Sequence, residues 1–138
     1  AERRPDLRGT IVMETGGMKG KRKELSKAEL HTVLCEAFNI DVVHSEYGMA
    51  ELTSQAYSCG GGIFRTPDWM KVLVRDTADP TDVRRIGRGG INIIDLASQD
   101  SIAFIATGDV GTIAEDGAFS IGGRISHSDI RGCNLLVQ

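Results

Sequence analysis

Aromatic side chains are scarce in this chain of 138 residues, at only 5%. That is too few for the stacking platforms that hold single-stranded nucleic acid. A surplus of positive charge is missing too: 16 Lys and Arg stand against 19 Asp and Glu, for a net charge of −3. Neither nucleic acid nor an anionic membrane is an expected partner. No apolar run is long enough to span a bilayer. The charged residues 1–6 have no apolar stretch behind them, so no signal peptide is read there. Cysteine is sparse as well. Cys35, Cys59 and Cys133 are odd in number with no close pairing, which suits reduced thiols and a cytoplasmic location. His31, His44 and His127 do not combine with cysteine at zinc-like spacing. There is no nucleophile-elbow pattern to support a serine hydrolase. The chain begins at Ala1 without an initiator methionine, so a processed product or a piece of a longer protein is expected.

Glycine, by contrast, is abundant: 17 residues, roughly twice the usual share of about 7%. Many tight turns and close backbone approaches follow from that. Hydrophobic content of 41% is ordinary for a globular protein, and the length suits one domain with a core of useful size.

Residues 9–14 form a short apolar run ending at Thr15, Gly16 and Gly17, which predicts a strand entering a glycine turn. Residues 19–24 read as a charged loop. Ser26 and Glu29 fit a capping box, and Leu30, Val33, Leu34, Ala37 and Phe38 follow at helical spacing. The spacing predicts a helix over 27–38, buried on that face, with Cys35 beside it in the core. Residues 40–44 read as the next strand, completing a β-α-β segment. Residues 71–75, 91–95 and 102–107 are short β-rich runs separated by glycine and aspartate turns, and Asp116-Gly117 signals a hairpin. The expected fold is α/β: a β-α-β segment over residues 1–58 leading into a β-rich subdomain over 59–138.

Four short polar motifs occur in order. Tyr47-Gly48-Met49-Ala50-Glu51 follows a predicted strand, where α/β proteins place ligand sites. A tyrosine there can stack on a base, the glycine allows close approach, and Glu51 can hold Mg²⁺ through oxygen. Thr107-Gly108-Asp109 follows another predicted strand, and an ionised Asp109 accepts hydrogen bonds from hydroxyls. Gly123-Arg124 offers a guanidinium to ribose or phosphate oxygens. Gly16-Gly17 exposes backbone groups to a nucleotide or acyl pocket. Each motif alone reads as well, or better, as an ordinary turn. Cys133 lies near Arg131, a cation that favours the nucleophilic thiolate. A buried hydrophobe in a terminal strand is the other reading of it.

Taken together, the series resembles the adenylate-forming ligase superfamily. The Tyr-Gly-x-Thr-Glu signature of that superfamily matches residues 47–51, its Thr-Gly-Asp matches 107–109, its Gly-Arg matches 123–124, and its Gly-Gly matches 16–17. Within it the chain is most similar to the acyl-protein synthetases of the LuxE family, along residues 11–137. The most specific stretches are residues 44–49, 54–58 and 128–135. The last also resembles the Arg-Gly-Val-Asn run of phenylacetate–CoA ligases, with Cys133 in place of valine.

The resemblance implies an ATP- and Mg²⁺-dependent enzyme that activates a carboxylic, often fatty, acid as acyl-AMP. Tyr47 would stack near adenine beside Gly16, Gly17 and Gly48. Glu51 would hold the metal, Asp109 would bind ribose, and Arg124 would assist at ribose or phosphate. Cys133 would accept the acyl group before its transfer to a reductase or transferase. Two other outcomes remain open. The acid is passed to CoA, a carrier protein or an amine, or the domain binds nucleotide or acts as a scaffold without catalysis.

Three departures bear on this. Ala50 stands where the superfamily has threonine, which removes one hydroxyl contact. Ser126 and His127 occupy the place of an acidic hinge. Only a short tail follows Arg124, with no lid domain. The loop that cradles the β- and γ-phosphates has no counterpart in residues 1–15. The chain is therefore expected to be the C-terminal part of an adenylating domain, to need the missing N-terminal half of the same enzyme, and to form no acyl-AMP alone.

Overall fold

A computed structural model describes residues 5–16 and 25–125. Gly17, the 19–24 loop, Ser126, His127, Arg131 and Cys133 lie outside the described residues. The elements run in the order β1 (Met13–Glu14), α1 (Lys27–Phe38), β2 (His44–Tyr47), β3 (Ala56–Ser58), β4 (Met70–Arg75), β5 (Val83–Arg84), β6 (Gly87–Asp95), a 3-10 turn (Leu96–Ser98), β7 (Phe104–Ile113) and β8 (Phe119–Arg124).

The strands form a three-stranded sheet, β1-β2-β3, and a five-stranded sheet, β5-β4-β6-β7-β8. β1 and β2 pair in parallel with α1 as the crossover between them, which is the expected β-α-β unit. The larger sheet is antiparallel throughout. The fold is thus mixed α/β and mostly sheet.

The helix forms where its spacing predicts. Ser26 accepts a hydrogen bond from the Glu29 amide, and the Glu29 carboxylate reaches back to the Ser26 amide, so two otherwise unpaired groups at the helix start are satisfied. Asn39 ends it with a left-handed residue, φ 53°. Its burial is less than expected. No residue of α1 is fully buried, Cys35 is half-buried, and Val33 is exposed. The physical reason is the small area of the sheet beside it, in which β1 contributes two residues.

The strand boundaries differ from the sequence expectation at both ends of the chain. The parallel pairing begins at Met13 and His44, so residues 9–12 and 40–43 are approaches to the sheet rather than strands. β2 is prolonged to Tyr47 because β3 supplies an antiparallel partner, with Tyr47 opposite Ala56. Tyr47 therefore ends a strand instead of following one. β7 continues through Thr107, Gly108 and Asp109 to Ile113. The Asp116-Gly117 hairpin forms as expected between β7 and β8, with the Ala114 N–H donating to the Ala118 carbonyl at 2.8 Å.

The core lies on one face of the large sheet. Met70, Val72 and Val74 alternate inward along β4, and Ile91 and Ile93 do so along β6, as period-two patterning requires. Phe64 joins this core from the 59–69 connection and exchanges both backbone hydrogen bonds with Phe119 of β8, at 2.7 and 3.0 Å. That bridge ties the connection leaving the small sheet to the edge of the large one. Asp95 continues the inward alternation of Ile91 and Ile93, so a carboxylate faces the core with no exposed area. It is satisfied by the Ser54 amide and hydroxyl, the Ala97 amide and the Ser98 hydroxyl, at 2.8–3.0 Å. These bonds anchor the far end of the 48–55 connection, which carries Gly48 and Glu51, to the turn after β6.

Candidate functional site

A cleft of about 640 Å³ opens between the two sheets. Thr15 and Gly16 line it from the end of β1, Lys27 and His31 from α1, Glu46 and Tyr47 from β2, and Asp109 and Ile121 from β7 and β8. Gly48, Gly61, Gly62 and Phe64 also line it. Residues far apart in sequence meet here because β2 ends beside the edge of the large sheet.

Tyr47 is held by aromatic packing. Its ring centroid lies 5.9 Å from that of Phe64 and 5.6 Å from that of Phe119, the latter edge-on, an arrangement that suits ring quadrupoles. Its hydroxyl donates to Asp109 Oδ2 at 2.8 Å, across 62 residues of sequence. Burial raises the Tyr47 phenol well above the usual tyrosine range, and the neighbouring Asp109 charge and hydrogen bond push it further in the same direction. Tyr47 therefore stays a proton donor throughout the neutral range.

Asp109 is aimed at Tyr47 by an irregularity in the sheet. Gly90 of β6 pairs with Val110 of β7, and Asn92 pairs with Ala106. Between these pairs β6 has only Ile91, whereas β7 has Thr107, Gly108 and Asp109. Bulges of this kind bend a strand and redirect a side chain. The Thr107 hydroxyl donates to the Ile91 carbonyl at 3.0 Å and accepts from the Asp109 amide at 3.1 Å. Arg124 lies directly opposite Asp109 on β8, with Nε 3.4 Å from Asp109 Oδ1. Asp109 thus has a phenol on one oxygen and a guanidinium on the other.

On the opposite wall, Glu14 is nine-tenths buried. Its Oε2 accepts from the Gly16 amide at 2.9 Å. Lys27 Nζ lies 2.8 Å from Oε1 as an ion pair whose alignment falls short of a hydrogen bond. Burial alone would raise the Glu14 carboxyl, but Lys27, Ser45 and the Gly16 amide outweigh it and hold the group below its ordinary value. Lys27 also sits 5.0 Å over the Phe64 ring. His31 Nε2 lies 3.5 Å from Glu14 Oε1 and 3.4 Å from the Ser45 hydroxyl.

Of the sequence-predicted residues, Gly16, Tyr47, Gly48 and Asp109 meet in the cleft, and Arg124 touches Asp109 from outside its wall. Gly48 packs closely under Gln55: a Cβ there would stand 2.9 Å from Gln55 Cγ. Glu51 is exposed and does not line the cleft. Among the described residues no group of three or more His, Cys, Asp or Glu is placed to hold a metal ion. Sequence reasoning missed Lys27, His31, Phe64 and Phe119, which lie on a helix face, in the 59–69 connection and at the start of β8. The signal that did exist was the Gly60-Gly61-Gly62 run. Its three residues have φ of 121°, 66° and 68°, a backbone open to glycine and strained for other residues.

This fold, a parallel β-α-β unit leading into an antiparallel sheet, is shared with segments of several solved structures. Among solved structures the chain is similar to apo MatB from Rhodopseudomonas palustris, at 18% identity and a TM-score of 0.57, covering 83% of this chain and 25% of that one. The ATP-bound MatB from the same organism matches at 18% identity and a TM-score of 0.58 over the same shares. Coronafacic acid ligase from Pectobacterium brasiliense matches at 17% identity and a TM-score of 0.59, covering 90% of this chain and 26% of that one. The chain thus spans about a quarter of the length of these structures. No family model matches it, and no curated protein does.

Proposed function

We propose that this chain forms one side of an adenylate site in a ligase that activates a carboxylic acid with ATP. The observation that carries the reading is the Tyr47–Asp109 hydrogen bond across the inter-sheet cleft. It joins two motifs that sequence alone leaves 62 residues apart, on a fold of the matching kind. Tyr47 presents its ring toward adenine, next to the backbone of Gly16 and Gly48. Asp109, an acceptor held by Tyr47 and Arg124, receives the ribose hydroxyls. Arg124 lies close enough to share that contact.

Glu51 suits Mg²⁺ in the manner usual for that ion, as one carboxylate that shares it with phosphate oxygens of the nucleotide. Its exposed position leaves its oxygens open to an ion shared in that way. The ion would supply charge neutralisation at the phosphates. In the reaction a carboxylate oxygen of the acid attacks the α-phosphorus and pyrophosphate leaves. Within the same reading the acid is fatty or similar, and the acyl group passes to the Cys133 thiolate with release of AMP, as in an acyl-protein synthetase of the LuxE type. A reductase or transferase would then take it. The remainder of the enzyme, preceding this segment, would provide the triphosphate loop and the rest of the acid pocket.

Isothermal titration of AMP into the chain tests the central part. Binding that is lost in Asp109→Ala and weakened about tenfold in Tyr47→Phe is expected, since a hydrogen bond to a charged group contributes about 1.5–3 kcal/mol. Equal affinity in wild type and Asp109→Ala would refute the assignment.

A further inference from the structure

Arg75 ends β4 with its side chain directed across the sheet at the irregular stretch of β6 and β7. One guanidinium nitrogen donates to the Ile91 carbonyl at 2.8 Å and to Asn92 Oδ1 at 2.6 Å. The other donates to the Thr107 carbonyl at 2.6 Å. Ile91 is the single β6 residue opposite the three-residue excursion of β7, and Thr107 is the first residue of that excursion. The guanidinium therefore takes carbonyl oxygens at the place where the sheet ladder is interrupted, and such groups are costly to leave unpaired when buried.

The glycines beside it make room. A Cβ on Gly90 would stand 2.8 Å from Arg75 Cζ, and one on Gly89 would stand 2.3 Å from the Arg75 carbonyl oxygen. Arg75 touches neither Tyr47 nor the cleft. Its reach is through Thr107, whose hydroxyl accepts from the Asp109 amide. We propose that Arg75 is a positioning residue for Asp109: its planar fork holds the Thr107–Asp109 bulge in the shape that presents the Asp109 carboxylate to Tyr47 and the cleft. Lysine cannot replace it, because a point charge lacks the rigid fork that spans two strands. The inference rests on the adenylate reading for its functional consequence, and on the bulge geometry alone for its structural one.

The test uses Arg75→Met, Arg75→Lys and Gly90→Ala. The last leaves the charge in place and displaces the guanidinium, since the nearest atoms an added Cβ would meet all belong to the Arg75 side chain and none to the backbone. Two quantities are read well below each variant's melting temperature: AMP affinity by calorimetry, and ionisation of Tyr47 by alkaline ultraviolet titration, with Tyr47→Phe to assign the signal. All three variants should weaken AMP binding about tenfold, the effect of losing roughly one hydrogen bond's worth of alignment. The Tyr47 phenol should ionise at lower pH as Asp109 turns away. A merely structural role would lower the melting temperature and leave the Tyr47 titration unmoved. Folded variants with unchanged Tyr47 ionisation and AMP affinity within about threefold of wild type, or Arg75→Lys behaving as wild type, would overturn the proposal. If Arg75→Met does not fold, Gly90→Ala decides. Should wild type fail to bind AMP, the adenylate reading falls, and the Tyr47 titration still decides the role of Arg75.

Discussion

At the scale of single residues, the cleft depends on pairs of side chains that hold each other in place. Tyr47 and Asp109 are such a pair. Because burial and Asp109 raise the Tyr47 phenol above its unfolded value, the stability it contributes is complete below the ordinary tyrosine range, about pH 10, and is lost as pH rises beyond it. Tyr47→Phe keeps the ring against Phe64 and Phe119 but removes the hydroxyl. It should lower unfolding free energy by about 1.5–3 kcal/mol at neutral pH, measured by urea titration, with a smaller loss in alkali. Asp95 has the opposite sign. Burial alone would raise it, but hydrogen bonds from Ser54, Ala97 and Ser98 outweigh that and hold it below its ordinary value. Its contribution is complete above the ordinary aspartate range, about pH 4, and drains away as pH falls through the lower folded value. Asp95→Asn should therefore destabilise most at neutral pH and flatten the acid limb of a stability–pH curve.

Residue identity was legible in the sequence where a polar motif announced it, as with Tyr47, Gly48 and Asp109. It was not legible for Lys27, Phe64 or Phe119, which come together only where a helix face, the 59–69 connection and β8 converge. Asp95 lay between these cases. Its place in the β-rich run 91–95 was legible, but its inward facing and its partners Ser54 and Ser98 were found only in three dimensions.

At the scale of elements, α1 was the most legible because its capping box and spacing act locally, and its bounds coincide with the predicted ones. Strand ends were less so, since pairing partners elsewhere in the chain decide them. β2 runs to Tyr47 because β3 lies beside it, and β7 runs through Asp109 because β6 and β8 flank it. The Thr-Gly-Asp sequence looked like a turn after a strand, whereas it is a bulge within one. That difference matters, because a bulge held between two strands fixes Asp109 more firmly than an exposed turn would. Gly111, just past it, is where β7 shifts register against β8, and a Cβ there would stand 2.4 Å from the Ser120 carbonyl and 2.8 Å from Ile91 Cδ1. Gly111→Ala should destabilise by about 1–3 kcal/mol through overpacking, read as a shift in urea midpoint with unchanged slope. In the core, Ile93 is 1% exposed, and Ile93→Ala should cost about 2–5 kcal/mol.

At the scale of the whole molecule, the cleft has one wall from the small sheet and α1 and another from the edge of the large sheet. The Phe64–Phe119 bridge, the Asp95–Ser54 bonds and the Tyr47–Asp109 hydrogen bond all join those walls. In the full-length enzyme proposed here, Cys133→Ala should still exchange pyrophosphate into ATP but retain no labelled acyl group, and unchanged acyl retention would remove the cysteine from the mechanism. The 138-residue chain by itself should bind AMP yet accumulate no acyl-AMP from ATP and a fatty acid, as followed by mass spectrometry.

The account stands most directly on the claim that Gly16, Tyr47, Gly48 and Asp109 form one adenosine site. Amide chemical-shift mapping with AMP measures this residue by residue. The amides of Gly16, Gly48 and Asp109 should titrate together with a single dissociation constant, and Asp109→Ala should abolish the shifts at Gly16 and Gly48. Shifts confined to other surfaces, or shifts at Gly16 and Gly48 that persist in Asp109→Ala, would contradict it.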